Sequence, residues 1–164
     1  MNLKYHYEIQ DGLVAHIQKN HPISIAETKY DRIDKKFLAT MVELAEAAND
    51  SRVFKFWSKN QLPKDTMPEE VSDFHHFFLE LGIEFGYRLE ELPEAFKLHS
   101  PTAQFLSLFK TLGRLHTRWS NEDYEHLGAL FNGLLEWLEI THEELDKEYL
   151  AKNLENHNRQ LNGY

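Results

Sequence analysis

The chain has 164 residues, 41% of them hydrophobic, and a formal net charge of −9. That length and apolar content suit one folded domain over residues 1–164 rather than a disordered chain. The negative balance argues against nucleic acid polymers and anionic membranes as partners, and the lack of cysteine excludes disulfides, thiolate metal sites and a cysteine nucleophile.

The first residues, MNLKYHYEIQDG, lack the apolar core of a signal peptide. No apolar run approaches the ~20 residues that span a bilayer, so a cytoplasmic location is expected. Helical periodicity then dominates. Tyr5 to Lys19 predicts a first helix, closed by Asn20, His21 and Pro22. A second opens at Asp31 or Asp34 and runs to about Asn49. KNQLPKDTMP is a loop with two prolines, and Pro68 suits the first turn of a third helix reaching about Tyr87. Prolines in EELPEAF and HSPTAQF predict a break and a short helix. Ser100 caps a helix from Pro101 to about Arg118, and Ser120 or Asn121 caps the next. Thr141 and Glu144 form a capping box for a last helix towards Gln160. The fold class is all-α, a bundle of five to six helices.

Two acidic pairs stand out. On the second helix Phe37, Met41, Leu44, Ala45 and Ala48 form an apolar stripe, and Glu43 and Glu46 point another way, about 60° apart. Ala39, Val42 and Ala47 lie beside them, so this helix is expected to be buried nearly all round. Carboxylates there repel and lose hydration unless cations or donors compensate, or the face simply meets solvent. Glu70 and Asp73 make a second pair on the third helix, with His76 one turn on. Two antiparallel helices of this kind place four carboxylates around one volume, an oxygen-rich site suited to Mg²⁺ or Mn²⁺. The competing reading is a solvated stripe, because Glu80 and Glu84 continue the face of Asp73.

The pairs ELAE (Glu43–Glu46) and EVSD (Glu70–Asp73) resemble the signature of the all-α nucleoside triphosphate pyrophosphatases, the MazG-like superfamily. VELAEAANDSRVFKFWS is similar to the dimeric all-α dUTPases, through Asn49, Asp50, Arg52, Phe54, Lys55 and Trp57. The ending YLAKNLENHNRQLNGY resembles the same family, and IQDGLVAHI does so more loosely, through Gln10 and His16. The resemblance spans most of the chain outside Arg88 to Trp119. It implies Mg²⁺-dependent hydrolysis of dUTP to dUMP and pyrophosphate by a homodimer. Glu43, Glu46, Glu70 and Asp73 would then hold two or three Mg²⁺ ions, with Mn²⁺ as a substitute, forming a central metal-binding carboxylate cluster. Glu43 or Glu46 would take the proton from the attacking water, with Glu43 favoured.

Most of the remaining candidates carry competing readings. Trp57 stacks on the base or anchors the core. Lys55 and Lys59 meet phosphate or solvent. Lys152, Asn156 and Arg159 share one face of the last helix, with Asn153 at its edge; it suits phosphate and sugar or is an ordinary solvated face. His76 bonds the 3′-hydroxyl, orients Asp73 or is a satisfied core histidine, while His75 is given no role. Gln10 is the amide that would choose the base. Val14 stands where the family has Asp or Asn, which leaves dCTP or broader nucleotide hydrolysis open. Two other classes remain: a carboxylate-bridged dimetal bundle built on Asp73-x-x-His76 and Glu139-x-x-His142, and a non-catalytic helical interaction module. The apolar segments Phe105–Phe109 and Leu127–Leu138 are expected to exceed what a monomer covers, which favours a dimer.

Overall fold

The computed structural model describes residues 1–163, so Tyr164 of the C-terminal motif lies outside it. Six helices follow in order: α1 (Lys4–Asn20), α2 (Lys29–Ser51), α3 (Met67–Phe85), α4 (Pro101–Thr117), α5 (Asn121–Trp137) and α6 (His142–Leu161). Apart from an isolated bridge between Asn2 and Glu91, no strand occurs among the described residues. None of the helices is long and apolar enough to cross a membrane.

Local chemistry sets most helix ends. The Ser100 and Ser120 hydroxyls accept from the backbone N–H of Ala103 and Asp123, and Thr141 and Glu144 cap reciprocally. α2 begins earlier than expected. Thr28 is its cap, and Asp31 is the third helical residue, whose carboxylate accepts the Thr28 N–H at 2.8 Å. A capping box reads as two caps when only its acid is noticed. The helix ends at Arg52, a non-glycine residue held left-handed at φ 59°. α3 stops two residues short of Tyr87 because Gly86, at φ 70°, turns the chain.

The expected short helix between α3 and α4 is absent. Its backbone groups bond to other elements instead: Leu3 N–H donates to Glu90 O at 2.8 Å, Leu92 N–H to Met1 O at 3.0 Å, and Phe96 N–H to Ala129 O at 2.9 Å. Pro93, which lacks an N–H, offers its carbonyl to Asn132. With partners supplied from outside, the segment gains nothing by coiling.

α3 lies at the centre, packed against α1, α2 and α6, while α4 pairs with α5 and reaches α2. Leu44, Phe74, Phe78, Leu108, Leu112, Tyr124, Leu127 and Phe131 are fully buried. The apolar run of α5 is therefore core, not surplus surface, which corrects one ground for expecting a dimer. α2 also departs from expectation. Its buried stripe is Phe37, Thr40, Leu44, Ala47 and Ala48, whereas Leu38, Val42 and Ala45 are exposed. At about 100° per residue the stripe centres nearer Ala47, so Ala45 falls past its edge.

Candidate metal centre and its cleft

α2 and α3 run antiparallel, as the side-chain ties between them require. Lys36 meets Glu84 at 2.7 Å and Glu80 at 3.0 Å near one end, and Asp50 accepts from the Thr66 hydroxyl at 2.5 Å near the other. The two acidic pairs lie between these ties. One carboxylate oxygen from each of Glu43, Glu46 and Glu70 falls within 4.8 Å of the others. Burial first, then Asp73, Glu46 and Glu70, pushes Glu43 up to about 7. Burial, then Glu46 and Asp73, pushes Glu70 up to about 7 as well. Such a set repels itself and offers only hard oxygen donors, which fits Mg²⁺ or Mn²⁺.

Asp73 adjoins this trio and has a cationic partner, Lys152 Nζ at 2.8 Å. Burial raises its pKa, although Lys152 pulls the other way. The long acidic stripe thus divides in two. Glu80 and Glu84 are neutralised by Lys36, with Lys29 adding a contact to Glu84 at 3.3 Å, whereas Glu43, Glu46 and Glu70 face one another.

α1 and α6 close another side. Gln10 is buried, and its Oε1 receives His76 Nδ1 at 2.8 Å and the Tyr149 hydroxyl at 3.2 Å. Burial holds His76 down at about 3, so the ring is neutral. The ring is also tied to the Tyr149 backbone, and its Nε2 is buried. His76 thus turns to Gln10 rather than to Asp73. On α6, Lys152 and Asn153 are buried, and Asn156 and Arg159 are half-buried. The Asn153 Nδ2 has no partner, and Arg159 pairs with Glu155 at 2.5 Å.

The loop from Arg52 to Thr66 carries the aromatic and basic motif. Trp57 is 65% exposed and meets Phe54 and Phe56 edge to face, so it does not anchor the core. Lys55 lies over the Phe54 ring at 5.8 Å, and Lys59 is exposed. A cleft of about 730 Å³ opens between α1, α2 and α3, with Val14, Ile17, Lys36, Phe77, Glu80 and Glu84 in its lining; it lies towards the Lys36 end of α2, and neither the four acids nor Gln10 and His76 line it.

Sequence reasoning missed Tyr149 and gave no role to His75. The Tyr149 ring is sandwiched between His6 and His76, with both ring centres 4.3 Å away. His75 is fully buried and meets His6, which in turn meets Asp146 at 2.6 Å. No short-range pattern links positions so far apart. The histidine-containing dimetal arrangement is not assembled: Glu139 sits before α6 at φ 56°, and His142 bonds to Asn132 at 2.8 Å.

The family model described as dUTPase matches residues 2–164. No curated protein matches the sequence.

Proposed function

Because the chain belongs to the dUTPase family, and is thereby a dUTP diphosphatase acting on a nucleoside triphosphate, we propose that it works through divalent metal held by Glu43, Glu46, Glu70 and Asp73. The observation that carries this reading is the approach of three carboxylates to within 4.8 Å of one another with no cation from the protein among them. These four acids would hold two or three Mg²⁺ ions, or Mn²⁺ in their place, which would supply Lewis acidity to the phosphates and lower the pKa of a bound water. Glu43 takes the proton from that water. It is half-buried where Glu46 is exposed, so it is the better positioned of the two. The new phosphorus–oxygen bond forms as the bridge between the α- and β-phosphates breaks, giving dUMP and pyrophosphate.

Gln10 and His76, on the helices beside the acids, would take the nucleoside. His76, next to the acids on α3, would serve the 3′-hydroxyl. The Gln10 oxygen is already engaged by His76, which leaves its Nε2 to donate to the base. A donor there favours the C4 carbonyl of uracil over the amino group of cytosine, and so supports dUTP over dCTP. Val14 supplies an apolar wall in place of a further polar contact. Trp57 covers the base, and Lys55, Lys59, Lys152, Asn153, Asn156 and Arg159 serve phosphate and sugar. The fold fits the MazG-like superfamily and one domain over the whole chain. A homodimer would cover Leu38 and Val42 of α2 and Leu106 of α4, all exposed.

A pyrophosphate-release assay over all dNTPs with Mg²⁺, run beside Glu43→Gln, tests the proposal. dUTP is expected to lead, and the variant to lose about a thousandfold or more in kcat. Equal turnover of every pyrimidine nucleotide would remove the dUTP specificity, and an active variant would remove the assigned base.

A further inference from the structure

The fourth acid of the cluster differs from the other three. Glu43, Glu46 and Glu70 face one another, but Asp73 Oδ2 lies 2.8 Å from Lys152 Nζ, which also reaches Glu69 Oε1 at 2.6 Å and Glu155 at 3.9 Å. Lys152 is only 8% exposed, so its ammonium has little water to fall back on and depends on these anions. It comes from α6, whereas Asp73 is on α3, so the pair also ties those helices together. A lysine ammonium is a point charge on a flexible stem, able to trade one anion for another at similar reach.

Resting on the metal-site reading above, we propose that Lys152 competes with the divalent ion for Asp73, and that nucleotide lifts the competition by drawing the ammonium onto its phosphates. Metal and nucleotide then load together. The ion alone must displace a buried cation from its fourth ligand. The triphosphate brings the replacement anion that Lys152 needs, delivered along the α6 face that also carries Asn156 and Arg159. By linkage the effect is reciprocal: whatever factor nucleotide adds to metal affinity, metal adds to nucleotide affinity. Lys152 therefore acts here as a positioning residue, beyond its contact with phosphate.

The test is a binding measurement without turnover. Free Mn²⁺ is followed by electron paramagnetic resonance during titration of the protein, with and without an α,β-imido analogue of dUTP. Wild type is expected to bind Mn²⁺ more tightly when the analogue is present. Lys152→Met, of similar volume and uncharged, should bind Mn²⁺ alone about fivefold or more tighter than wild type, with the analogue adding a smaller factor than it does in wild type. Arg159→Met removes the same charge from α6 but keeps the Lys152–Asp73 pair, and it should tighten Mn²⁺ binding far less. Circular dichroism melts verify folding, and Lys152→Gln serves as a second variant if the methionine protein does not fold. Mn²⁺ binding no tighter in the Lys152 variants, or full coupling to the analogue retained in them, overturns the proposal. If Glu43→Gln binds Mn²⁺ as wild type does, the metal-site reading falls first and this inference with it.

Discussion

Glu43 and Glu70 are held near neutrality by burial and by their neighbours. Their folded pKa lies above the unfolded value of 4.5, so between about pH 4.5 and 7 the folded protein holds protons that the unfolded chain has released. This contribution favours the fold at low pH and is lost as the pH rises through 7. Buried His6, His75 and His76 are shifted down and push the opposite way over part of that window, so the raw pH profile mixes the two. Glu43→Gln separates them. In chelator, its melting temperature is expected to match wild type near pH 4.5 and to exceed it by about 2–4 °C at pH 8. Scanning fluorimetry across pH checks this, and a variant less stable than wild type at pH 8 would show that the acids do not repel. Mg²⁺ should raise the wild-type melting temperature more at pH 8 than at pH 5.5, since the ligands must be deprotonated.

At this scale the acidic pairs were legible because a helix converts a spacing of three into a shared face. The engagement of Asp73 by Lys152, and the fixing of Gln10 by Tyr149, were not. Both depend on α6 arriving at α1 and α3 from more than seventy residues away in sequence. Trp57 stayed ambiguous for a similar reason, because a tryptophan beside a loop says nothing about which side of it meets solvent.

At the level of helices, caps were readable wherever one hydroxyl and the next turn sufficed, as at Ser100, Ser120 and Thr141. Thr141→Ala should cost about 1 kcal/mol, measured as a shift in urea midpoint without a change in slope. The irregular segment before α4 was misread because its hydrogen-bond partners lie elsewhere in the chain. Gly133 of α5 is part of that arrangement. A Cβ there would lie 2.5 Å from Phe96 O and 2.7 Å from Gln104 Nε2. Those two atoms are themselves bonded at 2.8 Å, so neither moves freely. Gly133→Ala should therefore destabilise by about 1–3 kcal/mol despite the better helix former, again by urea titration. A neutral result would mean that the segment yields.

For the whole molecule, the core is complete within one chain, yet Leu38 is 63% and Leu106 55% exposed on two helices that pack together. A second copy covering them should be lost in Leu38→Glu, seen as halved mass by light scattering after gel filtration. An unchanged mass would place the interface elsewhere.

Asp50 ties off the connection between the two acid-bearing helices. Its backbone carbonyl takes the Lys64 N–H at 2.9 Å, and its carboxylate holds both the Lys64 ammonium and the Thr66 hydroxyl. The stretch from Phe54 to Pro63 is consequently less coupled to the spacing of the acids than its position in the chain suggests. A foreign peptide could be spliced into that turn, or the turn shortened, while the reactive groups stay in register. It is the place to re-engineer substrate choice without rebuilding the reaction centre.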